Sequence, residues 1–234
     1  MNLQGFIFFI SVFACAIIAH MIRAHYESVK RNTGSQAALC IVSKHRSPEE
    51  ILSYYDEGER VFAENRADEL VRKASQLPKD IEWHFIGHLQ RNKVRQILPV
   101  TAMIQSLDSI ALADVIEKEA TRINKVMPVL AEFHLAQEDT SKTGLSVSQA
   151  DELFAHCKDL PHVRVEGIMV MGPHTDDTER IAEVFRKAKD LFDDLKNRYG
   201  EEIRILSMGM SSDYETALEC GSNMVRIGTY LFEE

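Results

Sequence analysis

From residue 38 onward the chain alternates short apolar runs with longer charged stretches of helical period. The apolar runs are Ala38–Ser43, Arg60–Ala63, Trp83–Ile86, Ala102–Gln105, Val129–His134, Val163–Met169, Ile203–Ser207 and Met224–Ile227. Each has the length and bounding turns of a strand. The stretches between them read as amphipathic helices. The first, Glu49–Glu57, opens with "SPEE": Ser47 is a capping residue, Pro48 suits the first helical position, and the acids face the positive helix end. The longest, Asp177–Tyr199, gathers Ile181, Val184, Phe185, Ala188, Leu191, Phe192 and Leu195 on one face and stops at Gly200.

Strands alternating with helices in this way predict either a (β/α)8 barrel or a doubly wound open sheet. No G-x-G-x-x-G follows the first run, which counts against a dinucleotide fold. No repeat, linker or low-complexity stretch divides residues 25–234, so they read as one domain. Residues 1–24 differ. "FIFFISVFACAIIA" at 6–19 is apolar, shorter than a spanning helix, and lacks the basic start of a signal peptide. A short membrane anchor, a signal peptide and an atypical start on a soluble domain all remain open for it.

Composition narrows the function classes. The formal net charge is −9, and no long basic run occurs, which argues against nucleic-acid binding. The cysteines, Cys15, Cys40, Cys157 and Cys220, are too scattered for C-x-x-C metal or redox chemistry. They read as thiols in a reducing compartment, and no N-x-[ST] acceptor occurs. The barrel segment therefore reads as cytoplasmic, with membrane contact only through residues 1–24.

In a barrel the chemistry sits at the C-terminal ends of the strands. The first strand runs into Lys44, a residue that is costly to bury and useful when its amine attacks a carbonyl. At the seventh and eighth strands, "SMGMSSD" and "RIGT" bring glycines, hydroxyls and helix starts together: Ser207, Gly209, Ser211 and Ser212, then Gly228 and Thr229. Such segments cradle phosphate, and barrel phosphate sites are commonly built from these two loops. A lysine facing a phosphate cradle fits pyridoxal phosphate. It equally fits an open-chain phosphosugar in a Schiff-base aldolase.

The ordered set "VSK", "FAENRADE", "WHFIGHLQRNK", "GIMVMGP" and "LSMGMSSDYETALECGSNMVRIGT" resembles the pyridoxal phosphate homeostasis protein family across about residues 38–232. The resemblance implies a single (β/α)8 TIM barrel of the alanine racemase N-terminal-domain type. It implies pyridoxal 5'-phosphate held as an aldimine, with Lys44 as the Schiff-base lysine. Asn65 and His84 would lie near the cofactor, and Ser207, Ser211, Gly228 and Thr229 would be at its phosphate. Arg226 would stand beside the pyridine ring, whose nitrogen then stays unprotonated and the ring a weak electron sink. Lys142 and Gly144 match a K-x-G segment in a loop at the site. Ala63 stands where relatives carry glycine, and "SKHRSP" departs from their usual "SKTKP".

The function implied is a monomeric, non-catalytic carrier that passes the cofactor to apo-enzymes. It requires a partly neutral Lys44 amine, which burial at the barrel mouth is expected to provide. The rival is an alanine-racemase-like enzyme acting on amino acids. That reading expects a second domain, and the chain ends before one could start. Arg91, Lys93 and Arg95 read as a solvated helix face, or as a rim on which a recipient enzyme docks. Met169, Met171, Met208 and Met210 read as barrel packing.

Overall fold

The computed structural model describes residues 23–136 and 144–232. A helix over 23–33 (α1) comes first. The alternation then runs β1 (Ala38–Val42), α2 (Pro48–Asp56), β2 (Val61–Glu64), α3 (Ala67–Gln76), β3 (Glu82–Phe85), α4 (Val94–Ile97), β4 (Thr101–Leu107) and α5 (Ile110–Arg122). It continues β5 (Met127–Phe133), α6 (Ala150–Lys158), β6 (Val163–Val170), α7 (Thr178–Tyr199), β7 (Ile205–Ser207), α8 (Tyr214–Glu219), β8 (Met224–Ile227) and α9 (Thr229–Phe232). All neighbouring strands pair in parallel, and β8 returns to β1 to close an eight-stranded barrel. The open-sheet alternative is thereby excluded.

The strand alternation sorts side chains into two apolar layers. Cys40, Val42, Ala63, Met103, Leu130, Met169, Ile205 and Met224 fill the barrel lumen. Their neighbours, among them Leu39, Ile41, Phe62, Ile104, Val129, Ile168, Leu206 and Ile227, face the helices in the larger outer cluster. α7 contributes Ile181, Val184, Phe185, Leu191, Phe192 and Leu195 to that layer. Each such burial is worth about 1.5–3 kcal/mol, so this helix is held by its face rather than by propensity.

The helix starts follow the predicted chemistry. Ser47 and Glu50 form a reciprocal capping box before Pro48. Asp177, expected inside α7, is its cap, accepting from the backbone N–H groups of Glu179 and Arg180.

Strand ends differ from expectation by a residue or two at most sites. β4 runs to Leu107, two residues past the expected end at Gln105, and the polar Gln105 and Ser106 are both fully buried inside it. α1 was not expected as an element: its Tyr26 and Val29 pack into the outer core. Of the four methionines expected to pack, Met169 is in the lumen and Met208 in the outer layer. The expectations for residues 6–19, Cys15 and Lys142 lie outside the described residues. Among the described residues no helix is long and apolar enough to cross a membrane.

Candidate functional site

The C-terminal mouth of the barrel brings the ends of β1, β2 and β8 side by side. Ile41 pairs with Phe62 on one side and with Ile227 on the other. Lys44 follows lumen-facing Val42 by two residues, and Asn65 follows lumen-facing Ala63 by two. Gly228 continues β8 against Val42: a Cβ there would stand 3.0 Å from the Val42 carbonyl oxygen, a contact that would require the neighbouring strand to give by a few tenths of an ångström.

The Lys44 side chain is exposed. The expected burial, and with it the expected source of a neutral amine, is absent from this structure. Asn65 is half-buried, and its Oδ1 is a buried acceptor with no hydrogen-bond partner. Gly87, the glycine of "HFIG", abuts the Asn65 backbone: a Cβ would fall 2.3 Å from the Asn65 carbonyl oxygen.

On the β8 side, the backbone N–H groups of Gly228 and Tyr230 both donate to Ser211 Oγ, at 3.3 and 3.1 Å. Two donors thus converge on one acceptor position at the start of α9, where Thr229 is exposed. Tyr230 stacks on His25 of α1, with ring centroids 4.3 Å apart.

Below the mouth a buried polar chain crosses the lumen. Arg226 Nη1 donates to Ser207 Oγ at 2.7 Å, and Ser207 donates to Gln105 Oε1 at 2.7 Å. Gln105 Nε2 then reaches His84 Nδ1 at 2.8 Å. With the amide oxygen facing Ser207, the Ser207 O–H donates to Gln105 Oε1, the Gln105 amide N–H donates to His84 Nδ1, and the imidazole proton sits on Nε2. Burial pushes His84 down to about 4, which keeps Nδ1 free to accept. Arg226 also donates to the Val170 carbonyl at 3.1 Å.

Burial lowers Arg226 from its ordinary value, opposed by the nearby Cys40, Asp213 and Glu132. Cys40, beside His84 at 3.9 Å, is pushed up to about 12 by burial, which makes it a packing thiol and not a nucleophile. Asp213 is also raised by burial, opposed by its bond from Met210 N–H and by Arg226.

Comparison with known proteins decides the family. Residues 17–234 match the family described as alanine racemase, N-terminal domain. A pyridoxal phosphate homeostasis protein of Aquifex aeolicus is 42% identical over 85% of this chain and 87% of its own length. One of Helicobacter pylori is 40% identical over 84% and 87%. The chain belongs to the pyridoxal phosphate homeostasis protein family. PipY of Synechococcus elongatus superposes with a TM-score of 0.84 at 29% identity, over 90% of this chain and 99% of PipY. PipY has also been solved with PLP bound, and that structure superposes with a TM-score of 0.82.

Seen as a member of this family, the chain groups its motif residues in two tiers. Lys44, Asn65, Ser211, Gly228 and Thr229 sit at the mouth. His84, Ser207 and Arg226 lie beneath it in the lumen, at most 4% exposed. Ser207 was expected among the phosphate contacts. Here its hydroxyl both accepts from Arg226 and donates to Gln105, so it orients the arginine.

Gln105 links the two halves of the buried chain and was missed, since a glutamine at an apparent strand end reads as solvated. The available signal was parity, because Gln105 follows lumen-facing Met103 by two residues. Of the basic cluster, Arg91 and Arg95 are exposed and Lys93 pairs with Asp68 at 3.1 Å.

Proposed function

We propose that this chain binds pyridoxal 5'-phosphate at the C-terminal mouth of the barrel, holds it through a Schiff base to Lys44, and serves in the homeostasis and delivery of the cofactor. The observation that carries the reading is the convergence of the Gly228 and Tyr230 N–H groups on one acceptor position just after β8, the neighbour of the strand that runs into Lys44. A phosphate oxygen is a better acceptor for such paired donors than the Ser211 hydroxyl that takes them here.

The other mouth residues fit the same molecule. Asn65 Oδ1 is a buried acceptor in need of a donor. Arg226, fixed by Ser207 and the Val170 carbonyl, is a permanent cation beneath the mouth, suited to face an unprotonated ring nitrogen. When bound, the cofactor supplies the aldehyde that an amine can capture with loss of water. The exposed Lys44 suits reversible capture and release, since solvent and a competing amine can reach it.

The reading is of a non-catalytic carrier, working as a monomer in the cytoplasm and passing its cofactor to apo-enzymes. An arginine at the ring nitrogen withholds the proton that makes the ring a strong electron sink, which weighs against broad amino-acid chemistry. The reading is tested by loading the purified protein and mixing it with an apo-form of a pyridoxal-phosphate enzyme. Recovery of that enzyme's activity, with no racemisation or decarboxylation of amino acids by the loaded protein alone, is the expected result. Turnover of an amino acid by the protein itself would replace the carrier with the racemase-like enzyme.

A further inference from the structure

Lysine 73 breaks the pattern of its own helix. Ala67, Leu70 and Ala74 mark the buried face of α3, and Lys73 sits on that face with its side chain at 0% exposure. A charge is moved out of water only when its surroundings compensate it. Here the compensation is specific. The ammonium donates to Glu64 Oε1 at 2.6 Å and to the Ser43 carbonyl at 2.7 Å, and Glu69 Oε2 lies 3.5 Å away. Its three N–H bonds are thereby matched by three acceptors.

These acceptors flank the site and touch none of the lumen chain. Ser43 precedes Lys44, and Glu64 precedes Asn65. The Ser43 hydroxyl adds a bond to Glu64 Oε1 at 2.7 Å, tying the two strand ends together. Glu69 accepts the His45 N–H at 3.4 Å, so the residue after Lys44 is held as well. His45 has φ +64, a left-handed conformation that a non-glycine residue adopts at a cost. The backbone is thus held on both sides of Lys44 while the lysine side chain itself is left exposed.

A buried ion pair is a poor device for stability, because desolvation offsets much of its attraction, and apolar pairs of equal volume often serve as well. Its better use is to fix one arrangement among several. We propose that Lys73 is a positioning residue: it sets the backbone of Lys44 and Asn65 so that the Lys44 amine meets the carbonyl of a phosphate-bearing aldehyde at the mouth. This rests on the function proposed above, but the backbone restraint is measurable without any cofactor.

The test compares the wild type with a Lys73→Met, Glu64→Gln double variant, which keeps the volumes, removes both charges and leaves an acceptor for Ser43. Two readouts are taken on the full chain: amide hydrogen exchange over residues 43–46, and borohydride-trapped labelling of Lys44 by pyridoxal phosphate, mapped by peptide mass. Hydrogen bonds to a charged group predict exchange faster by about tenfold or more, with the melting temperature nearly unchanged. Labelling should fall at Lys44 and spread to other lysines.

Unchanged exchange overturns the proposal, and so does faster exchange with undiminished Lys44 labelling. Should the double variant not fold, Glu69→Ala, which removes both the acceptor of the His45 N–H and the third acceptor of Lys73, should show the same pair of changes at smaller size. Its failure to show them overturns the proposal equally. A wild type that takes no label at Lys44 overturns the function proposed above. The exchange comparison then decides the restraint alone.

Discussion

His84 offers the most quantitative test of the buried chain. Its imidazole is 4% exposed and accepts from Gln105, and burial moves it from 6.5 to about 4. A depressed histidine binds its proton more readily in the unfolded chain than in the folded one. Stability is then complete above pH 6.5 and is lost as pH falls toward 4. With these values the folded state loses about 2 kcal/mol between pH 7.5 and pH 5 from this one group, approaching about 3 kcal/mol once pH is below both values.

The perturbation is His84→Asn, which leaves an amide oxygen near the Nδ1 position to receive the Gln105 N–H but cannot titrate. Urea unfolding of both proteins at the two pH values removes the background from carboxylates, which the proteins share. The wild type should lose about 2 kcal/mol more than the variant over that interval. Equal losses would refute the buried, neutral histidine and with it the hydrogen-bond direction assigned to the lumen.

Other expectations follow from the same geometry. Ser207→Ala leaves Arg226 Nη1 and Gln105 Oε1 without their shared partner in the lumen, and chemical denaturation should show a loss of about 2–4 kcal/mol. Gln105→Leu should weaken cofactor affinity in equilibrium titration, because Ser207 is then free to rotate away from the arginine; an unchanged affinity would remove the chain from the site. Gly87→Ala forces a methyl to within 2.3 Å of the Asn65 carbonyl oxygen. It should cost about 1–3 kcal/mol in thermal or urea unfolding and lower cofactor affinity as well, since the atoms that must move belong to the site.

The barrel was legible because parallel strands buried on both faces are written as short apolar runs, and each run found became a strand. What could not be read was where a polar residue is buried. Gln105 looked like the end of β4 but lies inside it, because a lumen that holds Arg226 needs polar partners. Nothing in the sequence of α3 marks Lys73 as buried, because its acceptors Ser43 and Glu64 are brought to it only by the paired ends of β1 and β2. The mouth was legible in its residue types, through the glycine and hydroxyl motifs after β7 and β8. Its depth was not: strand parity assigns Ser207 to the lumen alongside Ile205, whereas motif position alone assigned it to the phosphate. The exposure of Lys44 depends on how the turn at His45 leaves the strand, and no periodicity encodes that.

The central claim is the covalent one, and it is tested most directly on the purified protein. Pyridoxal phosphate is added, the mixture is reduced with borohydride, and the modified lysine is mapped by peptide mass beside a Lys44→Ala control. Lys44 is exposed, so the control should fold with stability within about 0.5 kcal/mol of wild type. The account predicts one modified peptide carrying Lys44 and its loss in the variant. Labelling spread evenly over surface lysines, or retained at full yield without Lys44, would contradict it.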